Sequence, residues 1–279
     1  AVINDLMTQT SAKGVVADIP LIITIPYFRA VPWNAIALDE QTAGALNNAV
    51  GGLNQILGAA VQFGVITAQE AAMRTLSYNA GNNGILTVDD SLVDLGPFFD
   101  QLLGIGQLTP ALRAQLEPLR QARQLKDGLP QIGNELALLS AATVLGTQAI
   151  PGNPSAVYGV SIPVADGLTL TADEIIAIET ARGTNNVIIE NVVNATNAAV
   201  GSKRLGLWKT NDPSGVFYDA FGLSDRQLGV TVDGVNLAPD FSPSGIFSTD
   251  GVHPNIRGAG LLANEFIKVI ESEFGASIP

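Results

Sequence analysis

The chain has 279 residues, 26 Asp and Glu against 14 Lys and Arg for a formal net charge of −12, one histidine and no cysteine. That length suits one large domain or two ordinary ones. The acidic balance argues against a nucleic-acid partner, and the absent cysteines remove disulfides, thiolate zinc sites and thiol nucleophiles. Only 14% of residues are charged and mean hydropathy is +0.29, yet no run reaches the ~18 uninterrupted apolar residues of a spanning helix. Together with abundant Ala, Gly, Asn and Thr, this reads as a soluble, exported protein. Residues 1–6 carry neither a basic n-region nor an apolar h-region, so any targeting signal is expected to have been removed or to lie upstream.

Val2, Ile3, Leu6 and Met7 share one face of a helix over 2–10, closed by Ser11-Ala12-Lys13-Gly14. Val15-Val16-Ala17 then reads as a buried parallel strand whose C-terminal end runs into Asp18-Ile19-Pro20. In open α/β sheets that end is where sites collect. From 27 to 180 the chain changes character, punctuated by Pro32, Pro97, Pro130, Pro151, Pro154 and Pro163. Helices are expected near 41–63, 68–77 and 109–125 with a strand at 85–88, and the segment reads as an insertion or subdomain.

Thr171 with Glu174 three residues on approximates a capping box and opens a helix to about 199. Gly183 marks a place for a kink, and Asn185 and Asn186 leave open a second reading in which Val187-Ile188-Ile189 is a strand. Leu205-Gly206-Leu207-Trp208 is the second parallel-strand candidate. Val230-Thr231-Val232 and Gly245-Ile246-Phe247, flanking the Asp233-Gly234 turn signal, predict a small antiparallel ribbon. The final helix, about 256–273, sets Leu262, Phe266, Val269 or Ile270, and Phe274 on one stripe, with Lys268 and several Glu facing away.

Just before that helix stands Ser248-Thr249-Asp250-Gly251-Val252-His253-Pro254-Asn255. Three residues in one tight turn bring the Asp250 carboxylate back to the His253 imidazole, where it fixes the tautomer and stabilises an imidazolium. Gly251 lets the backbone turn, and Pro254 keeps His253 extended and off the helix. The plain alternative is a structural histidine bonded to Asp250 at a helix start, since ion pairs perturb histidines without catalysis.

The run from Asp250 to Asn255, followed by Gly258 and an apolar helix, resembles the C-terminal D-x-x-H block of the SGNH or GDSL hydrolases, a serine esterase superfamily. Lys13-Gly14-Val15-Val16, Asp18-Ile19-Pro20 and Ile25-Pro26-Tyr27-Phe28 are similar to the bacterial envelope, lipase-like GDSL subgroup, which carries a long insertion. The resemblance favours the catalytic role for Asp250 and His253. It implies an α/β fold, a flavodoxin-like parallel sheet of about five strands sandwiched by helices, with 27–180 as the insertion. It also implies an ester substrate, no metal or organic cofactor, and an envelope location through a signal absent here, with an outer-membrane lipoprotein or an envelope complex as possible forms.

The family's serine sits in a G-D-S block that precedes the strand at 15–17, and this sequence contains no Gly-Asp-Ser. The expectation is therefore that residues 1–279 are the C-terminal part of one SGNH domain, and that the nucleophile, the oxyanion donors and three strands belong to a missing N-terminal portion or another chain. Two rivals stand beside it: a non-catalytic envelope accessory subunit with an SGNH-like fold, and a carbohydrate-ester deacetylase of the same superfamily. Other motifs read as structural. Gly81-Asn82-Asn83-Gly84 and Gly222-Leu223-Ser224-Asp225 are expected to be turns or caps, Asp89-Asp90 and Asp233 solvated turns and not metal ligands, and Trp33 and Trp208 core or interface residues.

Overall fold

Hydrophobic spacing and end signals account for most helices in the computed structural model, which describes residues 2–130, 132–213, 215 and 229–279. Helix α1 (Val2–Gln9) precedes strand β1 (Gly14–Ala17). The middle of the chain supplies β2 (Ile36–Leu38), α2 (Glu40–Gln62), α3 (Ala68–Arg74), β3 (Gly81–Asn83), β4 (Leu86–Val88), α4 (Gly96–Gly104) and α5 (Pro110–Leu116). It continues with β5 (Ala122–Gln124), β6 (Asp127–Leu129), β7 (Gly133–Asn134), β8 (Leu136–Ala137), β9 (Gln148–Ile150), β10 (Asn153–Val157) and β11 (Thr169–Leu170). Then come α6 (Ala172–Ala199), β12 (Leu205–Trp208), β13 (Val230–Val232), β14 (Val235–Leu237) and α7 (Ile256–Phe274).

The fold is mixed α/β with small sheets. Among the described residues the strands form seven two-stranded sheets, of which only β1–β12 is parallel. The chain divides into two compact units, Ala1–Ala30 with Ile176–Pro279, and Val31–Ile175. Among the described residues no helix is long and apolar enough to cross a membrane.

In the first unit Gly14 pairs with Leu205 and Ala17 with Trp208. Strand alternation sorts the side chains onto two faces. Val15, Ala17 and Trp208 pack with Leu261, Phe266 and Val269 of α7, and the Trp208 and Phe266 rings meet edge-on with centroids 4.9 Å apart. Val16, Leu205 and Leu207 pack instead with Met7 of α1 and Val193 of α6. Helices thus cover both faces of a parallel pair, as parallel strands require.

Asn186 explains why α6 is one helix, without a strand at 187–189. Its amide engages Ile19 through both the main-chain N–H, at 2.8 Å, and the carbonyl, at 3.0 Å, so it braces the loop after β1 and leaves the helix backbone intact. Asn197 does the same for the start of β12, accepting from the N–H groups of Arg204 and Leu205 and donating to the Leu205 carbonyl. The charged residues Glu179, Arg182 and Glu190 lie on the half-buried side of α6, whereas Val187 and Ile188 are exposed.

Two further expectations for this unit are corrected. Val230–Val232 pairs with Val235–Leu237, not with 245–247, because Asp233 (φ 50°) and Gly234 (φ 78°) form a two-residue turn with both φ positive, which closes a hairpin at once. On α7, Glu265 does not face away: it is buried and pairs with Lys268 at 2.5 Å. Gly222-Leu223-Ser224-Asp225 lies outside the described residues.

In the second unit, α2 and α4 bury Leu53, Leu57, Phe98 and Phe99 in one core. The expected helix over 109–125 stops at Leu116, since Pro118 supplies no N–H to continue it. Ala122–Gln124 then pairs with β4 as a strand. Arg123 anchors that pairing from the interior, with Nε donating to Asp89 at 2.7 Å and Nη1 to Glu135 at 2.9 Å. Helix α3 ends at Arg74, short of 77, because Asn54 and Asn47 on α2 bond the N–H and C=O of Leu76 and Tyr78 and hold that stretch extended. Gly81–Asn83 is a short strand against β2, not a plain turn, and buried Asn83 closes the chain before it by bonding both main-chain groups of Asn79. The capping pair Thr171 and Glu174 does meet, at 2.7 Å from the Thr171 N–H. Glu135 accepts the next N–H, that of Ala172.

Candidate functional site

The loop between Phe247 and α7 is closed by its backbone before any side chain acts. The Ser248 N–H donates to the His253 carbonyl at 2.8 Å, the Gly251 N–H to the Ser248 carbonyl at 2.9 Å, and the Asn255 N–H to the Ile246 carbonyl at 2.9 Å. Gly251 has φ 71°, the left-handed region that a side chain disfavours. Its carbonyl accepts from the Tyr27 N–H at 2.9 Å, which ties the loop to the segment following β1. Phe247 and Pro254 form an antiparallel bridge, so His253 stands ahead of α7 and not on it.

Within this frame the structure brings Asp250 and His253 together. Oδ2 of Asp250 lies 2.7 Å from Nδ1 of His253. The other carboxylate oxygen, Oδ1, accepts from the Ser248 hydroxyl at 2.7 Å and from the N–H groups of Val252 at 2.8 Å and His253 at 3.0 Å. These donors, the Ser248 hydroxyl first and the His253 side chain second, hold the Asp250 carboxyl well below the usual carboxylate range. An ionised Asp250 has no proton to give, so Nδ1 is the donor and the neutral ring presents the lone pair of Nε2. The imidazole is 78% exposed and the carboxylate 50%, leaving Nε2 accessible to a reacting group.

Two positioning residues escape a search for catalytic residue types. Asn255 caps α7, accepting from the N–H groups of Arg257 at 2.9 Å and Gly258 at 3.2 Å. Its amide nitrogen donates to the carbonyls of Gly245 at 2.8 Å and Phe247 at 3.0 Å, fastening both ends of the loop to one side chain. Gly258 lies so close to Ile246 that a Cβ would sit 2.2 Å from its carbonyl oxygen. The N-cap position before an apolar helix was the available signal for Asn255, and for Gly258 it was its place just after the Asp250–Asn255 run.

The remaining flagged residues have other partners. Ser248, the serine nearest the pair, donates to the carboxylate and so braces Asp250. Asp89 belongs to the buried Arg123 network of the second unit and Asp233 to the β13–β14 turn. Trp208 is core, and Trp33 packs in the second unit. Among the described residues no three His, Cys, Asp or Glu side chains gather in a way that would hold a metal ion. An open cavity of about 290 Å³ lies at the C-terminal ends of β1 and β12 and is bordered by Val252 and Pro254, the neighbours of His253. Comparison with family models, with curated proteins and with solved structures finds no match.

Proposed function

We propose that this chain carries the acid–base half of an SGNH/GDSL-type serine ester hydrolase. The observation that carries the reading is the Asp250–His253 bond, with one carboxylate oxygen held by three donors and the other turned to Nδ1. In the reaction, Nε2 of His253 takes the proton of a serine hydroxyl as its oxygen attacks the ester carbonyl. Asp250 stabilises the imidazolium, which then protonates the departing alkoxide. Water, deprotonated by the same nitrogen, hydrolyses the acyl-enzyme and returns the serine.

No Gly-Asp-Ser occurs in the 279 residues, and Ser248 is engaged by Asp250. The proposal therefore takes the nucleophile and the oxyanion donors from polypeptide outside this chain, together with the strands that would complete an SGNH sheet beside the β1–β12 pair. Helices on both faces of that pair are in keeping with such a sheet. An exported, envelope-located protein fits the composition. Exposure of the pair favours one second reading, an accessory subunit that retains the fold without turnover.

Ester hydrolysis by the chain, and by the polypeptide extended N-terminally as encoded, separates these. The chain alone should not turn over p-nitrophenyl butyrate. The extended protein should, and should lose at least ~100-fold on His253→Ala as its general base is removed. An extended protein without turnover and without a Gly-Asp-Ser would favour the accessory subunit.

A further inference from the structure

The cavity beside the dyad loop is walled by hydrocarbon. Trp208, Phe247, Leu262 and Phe266 form its interior, with Ala17 and Ile25 at the strand end and the following loop. Three polar residues, Asp18, Thr24 and Thr210, also line it, and they bond to groups of the protein. The Thr210 hydroxyl and N–H both donate to Asp18 Oδ1, at 2.6 and 2.8 Å, and the Thr24 hydroxyl donates to the Leu21 carbonyl at 2.6 Å. Thr24 and Thr210 are both buried. An occupant therefore meets apolar surface and few groups free to donate to it.

We infer that this cavity receives the hydrocarbon end of an acyl or alkyl chain of medium length, and so selects aliphatic esters over sugar esters. Its use in turnover rests on the hydrolase reading above, but its binding does not. A sugar entering here would give up hydrogen bonds to water and replace few of them, whereas each buried methylene strengthens binding by ~4-fold. At about 290 Å³ the space is at the lower end of small-molecule pockets, ~300–1,000 Å³, which suits a medium chain better than a long one. Val252 and Pro254 border it on either side of His253, so a chain lodged inside keeps its polar end close to the dyad loop.

The test titrates the N-terminally extended protein with hexanoate, octanoate and N-acetylglucosamine, binding being read by isothermal calorimetry. Octanoate should bind ~15-fold more tightly than hexanoate, two methylenes at ~4-fold each, and N-acetylglucosamine should not bind. Ala17→Leu, which fills the interior, and Val252→Phe, which narrows the exposed rim, should each weaken octanoate at least tenfold. Equal affinity for the two acids, binding of the sugar, or indifference to both cavity substitutions would overturn the inference. Octanoate binding with no esterase activity in the N-terminally extended protein would instead count against the hydrolase reading alone.

Discussion

Removing the Asn255 side chain should loosen the loop and helix together. Asn255→Ala deletes the cap on α7, which typically contributes about 1 kcal/mol. It also takes the donor from the carbonyls of Gly245 and Phe247, bonded at 2.8 and 3.0 Å in a buried stretch. A buried acceptor left unmet costs about 1–3 kcal/mol, toward the low end where water can enter, and Asn255 is itself half-buried. The sum is a loss of roughly 2–4 kcal/mol. Asn255→Ser keeps an oxygen for the cap but cannot span to both carbonyls, so it should recover about 1 kcal/mol of that loss. Urea denaturation followed by Trp208 fluorescence in the Trp33→Phe background measures both variants. A change below about 0.5 kcal/mol for Asn255→Ala, within the range of ordinary surface substitutions, would refute the claim that this one side chain fastens the loop.

Three further outcomes follow from the same geometry. Gly258→Ala forces a Cβ to within 2.2 Å of the Ile246 carbonyl and 2.9 Å of the Pro254 ring, so α7 must shift, at a cost of about 1–3 kcal/mol visible as a lower urea midpoint. Arg123→Leu leaves Asp89 and Glu135 buried without their cation and should cost about 3–5 kcal/mol, whereas a surface control such as Lys203→Ala should be near neutral. Asp250 should titrate below the ordinary aspartate value of 3.8. Because its folded pKa is lowered, its contribution to loop order is present above 3.8 and is lost only as pH falls through the folded value. Carboxyl-carbon NMR shifts giving a midpoint at or above 3.8 would contradict the bonding described for Oδ1.

The sequence carried the features whose causes are local. Asp250 and His253 meet because a three-residue turn, a left-handed Gly251 and Pro254 are sufficient to join them, and the strands at 14–17 and 205–208 were legible as short apolar runs ending in polar residues. The misreadings came from distant partners. Nothing within α2 announces that Asn47 and Asn54 will hold residues 76–78 extended, and the helix to about 199, left open against a strand at 187–189, is decided only by the bonds of Asn186 to Ile19. Ala122-Arg123-Gln124 became a strand, not the end of a helix, with Asp89 and Glu135 receiving Arg123 from outside its own segment. Asn255 and Gly258 carry no catalytic residue type, and their importance lies in contacts with Gly245, Ile246 and Phe247 that only the folded loop creates.

The most direct test of the central claim is the rate at which a serine-directed fluorophosphonate labels the N-terminally extended protein, with the modified residue located by mass spectrometry. The account predicts one labelled serine N-terminal to residue 1, and labelling slowed at least ~100-fold by His253→Ala through loss of the general base. A label on a serine within the 279 residues, or a labelling rate indifferent to His253, would contradict it.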